Sequence, residues 1–335
     1  MGSGIARLLL DKRGVALVGA FARRAERAGM DVGAAIGLGR DLGLPVGVDL
    51  AALIERARPD VAIQATCSRI SDAMAELTTL VRHGVHVISI AEEMAYPACS
   101  SPAFADELHW LAVARGVTVL GTGVNPGFVL DLLVVTLSAV CADVESVTAT
   151  RVNDLSPYGR TVLASQGVGL SPQAFAQGVK EGTVVGHVGF PESIHLIAAA
   201  LGWDIERIAQ TSEPIVATVR RVTPVVSVEP GQVAGCHHSA VAYRDGKPVI
   251  TLIHPQQVHP HLEGVETGDR IEIRGTPPVC FSGSPEIPGG QATVALAVNM
   301  IPRVMNAPPG LHTMLDLPVP AALLGDARRV VRERA

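Results

Sequence analysis

The sequence predicts an α/β chain in three stretches. Residues 1–143 read as a doubly wound parallel sheet, and 144–288 as an α+β region on an open mixed sheet. Residues 289–335 read as a helix and tail that return to the first stretch. Three observations carry this. Short apolar runs alternate with helical stretches over the first 140 residues, strand-like runs dominate after Val144, and Gly290–Met305 is an apolar helical run with Pro302 near its end. Continuous apolar strands between helices indicate a parallel sheet buried on both faces, whereas strand runs joined by turn signals indicate antiparallel pairing.

In the first stretch the strands are Val15–Phe21, Asp60–Thr66, Val85–Ile90 and Val117–Leu120. The helices between them are Leu50–Arg58, Ile70–Arg82 and Ala103–Ala114. In the second stretch the strands are Ser146–Val152, Ile215–Val228, Val233–Tyr243, Pro248–Ile253 and Arg270–Arg274, with a helical insert at Pro191–Ala200. Asp245-Gly246 is a hairpin turn signal, because both central positions of the tight turn need positive φ.

Composition narrows the function. With 335 residues, 48% hydrophobic and 18% charged, the chain can bury two cores of ordinary size. A net charge of −5 gives no reason to expect nucleic acid or an anionic membrane as a partner. No apolar run reaches the ~20 residues of a membrane span. Five scattered cysteines without a Cys-x-x-Cys pair fit reduced thiols and a cytoplasmic setting.

The N-terminus, Met1-Gly2-Ser3-Gly4-Ile5-Ala6-Arg7, reads as the end of a glycine-rich dinucleotide turn entering its helix. In such a turn the glycines let backbone approach a pyrophosphate at the helix N-terminus, which makes Gly2 and Ser3 cofactor-binding candidates in a Rossmann-like sheet. The strand and the first glycines of that motif have no residues here. Removing a central strand with about six buried side chains costs on the order of 10 kcal/mol. That rivals the ~5–15 kcal/mol of a whole domain. The sequence therefore predicts about ten to thirteen residues upstream of Met1, given strands of ~5–6 residues; a plain helix start that binds no nucleotide is the alternative. The next strand ends Gly19-Ala20-Phe21-Ala22-Arg23-Arg24, without the acid that holds a ribose 2′-hydroxyl. Arg23 and Arg24 suit a 2′-phosphate through forked, charge-assisted hydrogen bonds, so NADP is expected over NAD, against a plain solvated basic loop. Thr66 ends the following strand.

Three segments look chemical. Ser89-Ile90-Ala91-Glu92-Glu93-Met94 closes a predicted strand, where ligands bind in open α/β sheets. Paired carboxylates repel, so one should have a raised pKa and suit general acid/base work. Alternatively, Glu92 and Glu93 simply open the next helix. Gly121-Thr122-Gly123-Val124-Asn125-Pro126-Gly127-Phe128 follows another strand. Gly123 permits close ligand approach, while Asn125 and Pro126 also fit the cap and first position of a helix over Val129–Ala139. Arg151-Val152-Asn153-Asp154, with Tyr158, opens the second stretch. Across the chain lies His254-Pro255-Gln256-Gln257-Val258-His259-Pro260-His261, and Arg151 with His254 could hold a substrate carboxylate. Cys236, His237, His238, His259 and His261 match no standard zinc spacing, and no metal is expected.

Taken together, these segments resemble the 2,4-diaminopentanoate dehydrogenases, relatives of the dihydrodipicolinate-reductase-like proteins and native amine dehydrogenases. The resemblance rests on MGSGIARLLLDKRGV, VISIAEEMAYP, VLGTGVNPGFVLDLL, DVESVTATRVNDLSPYG, VGHVGFPESI, HPQQVHPHLEGVETGD, PEIPGGQATVALAVNMIP and PGLHTMLDLPVP, which span nearly the whole chain. The chain departs from the family pattern before Met1, where a complete glycine-rich turn is usual, and at Ala22, where an acid is common. The resemblance implies NAD(P)-dependent oxidative deamination of a small diamino acid, with a glutamate of the Glu92–Glu93 pair, Glu92 favoured, as acid/base. It implies Arg151, Asn153 and His254 at the substrate, with Phe128 and Tyr158 lining its pocket. The His-x-x-x-Lys segment of dihydrodipicolinate reductases proper is absent. A reductive aminase or imine reductase of other substrate, and a cofactor-free remnant, are the competing readings. A homodimer through the second sheet is expected.

Overall fold

The structure is a computed structural model and describes residues 1–332. The chain forms two compact units: Met1–Phe128 with Pro288 onward, and Val129–Ile287.

In the first unit, four parallel strands form one sheet in the order β14 (Gly310–His312), β5 (Thr118–Gly121), β4 (His86–Ser89), β3 (Val61–Gln64). β4 and β5 are buried along their whole length, as an apolar run between two helical layers requires. The helices Leu50–Ala57, Ile70–Arg82 and Pro102–Arg115 cover one face, closing a core of Ile54, Leu77, Val81, Val87, Leu108 and Val119. On the β4–β5 pair also packs the helix Ile301–Asn306. Capping fixes the helix ends. Asp49 accepts the Ala52 N–H at 3.1 Å, Pro102 opens its helix, and Gly116 ends it at φ 67°. This is the Rossmann-like, doubly wound arrangement expected.

Three expectations need correction here. The strand expected over Val15–Phe21 shrinks to β1 (Ala20–Phe21), which pairs in parallel only with β2 (Val46–Gly47) in a separate two-stranded sheet. Residues 15–19 have no ladder partner among the described residues, and Val18 is exposed. The single helix expected over Gly290–Met305 breaks at Met300 into Gly289–Asn299 and Ile301–Asn306, because Pro302 has no N–H to continue the ladder. The helix expected from Val129 starts at Leu132 in the other unit: Asp131, not Asn125, accepts its first N–H, at 2.7 Å. The helix Gly2–Leu10 packs on Gly289–Asn299, where a side chain at Gly4 would press to 3.0 Å from Val294.

The second unit is built on a six-stranded mixed sheet. Its order is β13 (Val279–Gly283), β12 (Gly268–Thr276), β6 (Asp143–Asp154), β11 (Lys247–Gln257), β10 (Val233–Arg244), β7 (Arg207–Val216). Only β6–β11 is parallel. Asp245 (φ 51°) and Gly246 (φ 69°) close the β10–β11 hairpin, as the turn signal predicts. The strand expected over Ile215–Val228 is instead the end of β7 followed by a small hairpin of β8 (Arg221–Val222) and β9 (Ser227–Val228). Thr223 turns it by accepting the Val225 and Val226 N–H groups. Two helices, Arg160–Ser165 and Pro172–Glu181, were not expected from the sequence.

Burial alternates along each central strand, so one face of the sheet is the inner one. At one end that face is apolar: Val147, Ala149, Ile250, Leu252, Ala240 and Ile271. At the other end it turns polar: Arg151, Asn153, His254, Gln256, His238 and Asp269, all buried. The helix Phe190–Leu201 lies against β11.

Candidate active site

The chemical residues of the first unit sit where β3, β4 and β5 end. β4 runs into a short 3-10 turn, Glu92–Ala95, with two acids at its start. The two carboxylates have different fates. Glu93 Oε2 accepts the Ile70 N–H at 2.7 Å and so caps the helix Ile70–Arg82, whose own N-cap Arg69 supplies no side-chain bond. Glu92 is half-buried. Burial pushes its carboxyl above the usual 4.5 and the Glu93 charge adds to this, while its own backbone and Ser68 pull the other way. A half-buried carboxyl with a raised pKa is suited to taking up and returning a proton.

The nucleotide candidates fall into three groups. Gly2 and Ser3 form the first turn of their helix, and no side chain among the described residues caps it, so the positive end of the dipole and the Gly2 and Ser3 amides suit an anion. Arg23 and Thr66 come together through Glu76, which sequence reading missed. Glu76 Oε1 accepts from Arg23 Nε at 2.5 Å, and its Oε2 accepts from Thr66 Oγ1 at 2.5 Å. Arg24 is exposed. At the end of β5, the Thr122 hydroxyl is buried without a hydrogen-bond partner among the described residues. Gly123 and Asn125 lie in the loop beyond it, where Val124 N–H reaches Thr293 Oγ1 at 3.1 Å and Gly127 holds φ 118° tight against Gly123. Phe128 is half-buried. An uncapped helix start, an exposed arginine and an orphaned buried hydroxyl are groups that a dinucleotide would satisfy.

In the second unit, register assembles the polar end of the inner face. Asp269 on β12 lies opposite Arg151 on β6, and His238 on β10 lies opposite His254 on β11. Arg151, 2% exposed, bonds Asp269 at 2.6 Å and the Ile287 carbonyl. Asp269 also accepts the Ile287 N–H at 2.8 Å. Burial raises the Asp269 carboxyl's pKa, and Arg151 lowers it. His254 Nε2 bonds Asn153 Oδ1 at 2.7 Å, so Nε2 carries the proton. Burial, then His187, Arg151 and His238, hold His254 well below its usual pKa, hence neutral. Tyr158 is half-buried, and burial raises its hydroxyl's pKa.

His187 was not singled out from the sequence. It sits between Gly186 and Gly189, both with positive φ, with no periodic pattern around it. Its ring meets Phe190 and His254 edge-on, at 4.8 and 4.9 Å. Its backbone N–H donates to His238 Nδ1 at 2.9 Å. Burial, then His238 and Arg151, lower its pKa to about 3, and its Nε2 is buried without a hydrogen-bond partner among the described residues. Burial, then His237, lower His238 to about 4. Elsewhere, Asp154, His259 and His261 bring possible metal-ligand atoms within 4.8 Å of one another. Both ring nitrogens of His259 are already engaged, by Ser156 Oγ and the Val222 carbonyl.

The chain is similar to proteins of known activity along its whole length. A family model described as the 2,4-diaminopentanoate dehydrogenase C-terminal domain matches residues 128–333, and one described as the N-terminus of dihydrodipicolinate reductase matches residues 1–90. A 2,4-diaminopentanoate dehydrogenase from Acetoanaerobium sticklandii is 44% identical over 351 aligned positions, covering 100% of this chain and 95% of its own. An amine dehydrogenase from Streptomyces virginiae is 26% identical over 322 positions, covering 89% of this chain and 88% of its own. The solved structure of an amine dehydrogenase from Mycobacterium smegmatis aligns with a TM-score of 0.85 at 28% identity, over 100% of this chain and 94% of that one.

Proposed function

The chain belongs to the 2,4-diaminopentanoate dehydrogenase family of amine-acting oxidoreductases, and on that premise we propose that it oxidatively deaminates 2,4-diaminopentanoate, or a similar small amino acid, with NADP+ preferred over NAD+. In this reaction the C4–H pair of electrons leaves as hydride and the C4 amine becomes an imine. Water then adds, and C4 ends as a ketone with release of ammonia. The nicotinamide supplies the hydride acceptor when bound.

The observation that carries the reading is the division of labour between Glu92 and Glu93. Glu93 is committed to the cap of the helix Ile70–Arg82, which leaves Glu92 as the half-buried carboxyl with a raised pKa. Glu92 takes a proton from the substrate ammonium, which frees the nitrogen lone pair that expels hydride. It releases that proton to solvent, accepts one from the water that attacks the imine, and returns it to the departing nitrogen. Gly2 and Ser3 receive the pyrophosphate on backbone amides. Arg24, with Arg23, faces the ribose 2′-phosphate, and Thr66, Gly123 and Asn125 complete the nucleotide contacts. In the second unit Arg151, Asn153, Tyr158 and His254 are assigned to the amino-acid end of the substrate. Arg151, held in place by Asp269, offers that end guanidinium N–H donors, and neutral His254 is held by Asn153 as an oriented dipole. Phe128 offers the substrate an apolar wall.

The test is NAD(P)H formation followed by absorbance with diamino acids and simple amines as substrates. Glu92→Gln should lower turnover by about 10²–10⁴-fold and leave NADP(H) binding unchanged. Wild-type-like turnover in that variant would remove Glu92 from the mechanism. We also propose a cytoplasmic homodimer. Among the described residues no helix is long and apolar enough to cross a membrane. The outer face of the second sheet leaves Thr148, Thr150, Val241 and Ile253 only partly covered, a surface suited to a second copy. Light scattering in solution measures that state directly.

A further inference from the structure

Arg23 is already occupied. Its Nε donates to Glu76 Oε1 at 2.5 Å, its Nη2 donates to the Asp72 carbonyl at 2.5 Å, and Cys67 Sγ lies 3.5 Å from the same Nη2. Glu76 in turn cannot follow a departing arginine. It is 9% exposed on the helix Ile70–Arg82, and Thr66 Oγ1 (2.5 Å) and Gln64 Nε2 (3.3 Å) both donate to its second oxygen. Gln64 is itself fixed by Ser89 Oγ at 2.6 Å. The carboxylate is therefore braced from inside the unit, and the guanidinium is the mobile partner at the surface. Its neighbour Arg24 is exposed.

We infer that Glu76 is a cofactor-discriminating residue: it competes with a ribose 2′-phosphate for the Arg23 guanidinium and so restrains the preference for NADP+ over NAD+. This rests on the reading of the unit as an NAD(P) site. A phosphate brought to Arg23 meets a guanidinium whose charge is already balanced, with a fixed carboxylate behind it. To gain a forked bond it must displace a charge-assisted one, so the net gain is small. A 2′-hydroxyl carries no charge and is nearly indifferent to the exchange. Arg24, with no such carboxylate holding it among the described residues, carries the discrimination that remains. The direction follows: weakening Glu76 should strengthen binding of 2′-phosphorylated nucleotides alone.

The experiment is isothermal titration of the full chain with NADP+, NAD+, 2′-AMP and 5′-AMP. Glu76→Gln keeps the shape and an oxygen for Thr66, but turns an amide N–H toward Arg23, which cannot hold it. NADP+ and 2′-AMP should bind about five- to tenfold more tightly, less than the full worth of a charge-assisted hydrogen bond because the guanidinium lies at the surface, while NAD+ and 5′-AMP stay within about twofold. Adding Arg23→Ala should abolish the gain. In the otherwise wild-type chain, where the Glu76 network is intact, Arg23→Ala should cost NADP+ less than Arg24→Ala does. Equal changes for both dinucleotides in Glu76→Gln, or a gain that survives Arg23→Ala, would overturn the role of Glu76 alone. If the Glu76→Gln protein is unfolded, an Arg23→Ala loss exceeding that of Arg24→Ala would overturn it. Absence of binding of either dinucleotide to the wild-type chain would overturn the cofactor reading, and this role with it.

Discussion

The two units place their ionisable groups by opposite rules. In the first, Glu92, Glu93 and Arg23 lie on loops at strand ends, and their neighbours are helix amides and side chains of the next segment. In the second, Arg151, Asp269, His238 and His254 lie within the sheet itself and face inward, each set opposite its partner by strand register. Loop-borne groups can be exchanged at modest cost to the fold. Sheet-borne groups cannot, because the same side chain both fills the core and holds a buried polar partner.

Breaking the sheet-borne pair should have the largest effect. Arg151→Met leaves Asp269 buried without its counter-charge and should lower unfolding free energy by about 3–5 kcal/mol in urea titrations. Arg151→Met with Asp269→Leu should recover most of that. A single variant as stable as wild type would show that the pair is dispensable.

Acid should sharpen the comparison next. His187 and His238 titrate near 3 and 4 in the fold, against 6.5 when exposed, so the unfolded chain takes up protons first as pH falls. Their contribution is whole above 6.5 and drains away as pH drops toward those folded values. Glu92 runs the other way: with its folded pKa raised, its contribution is whole below 4.5 and fades as pH climbs through the raised value. Thermal melts across this range should show the histidine slope. His238→Asn, which keeps an acceptor for the His187 N–H, should flatten it.

The smallest effect belongs to the loop-borne cap. Glu93→Ala should cost about 1 kcal/mol of stability, as other lost N-caps do, with turnover falling far less than in Glu92→Gln. A larger turnover loss for Glu93→Ala than for Glu92→Gln would exchange the two roles.

The same contrast explains what the sequence disclosed. The helix Ile70–Arg82 was legible to the residue, and β3, β4 and β5 to within a residue or two at each end, because burial between two helical layers writes itself as continuous apolar runs. The helices Arg160–Ser165 and Pro172–Glu181 left no such trace. The first is less than two turns long, and Gly167 and Gly169 interrupt the pattern between them. Glu92 and Glu93 were visible as a pair, but their difference was not, since it depends on the position of the Ile70 N–H in space. The Arg151–Asp269 and Asn153–His254 pairs join residues 118 and 101 positions apart, and only register brings them together.

The Glu93 cap has an evolutionary consequence. It fastens the start of the helix Ile70–Arg82 to the turn that carries Glu92, and the same helix presents Asp72 and Glu76 to Arg23. Substitutions that re-aim this helix toward a different nucleotide also tug on the turn beside it. Their value is then conditional on what already stands at the other end. In descendants of this chain, a change of cofactor taste would arrive in an ordered series of mutually dependent steps, with few shortcuts through single substitutions.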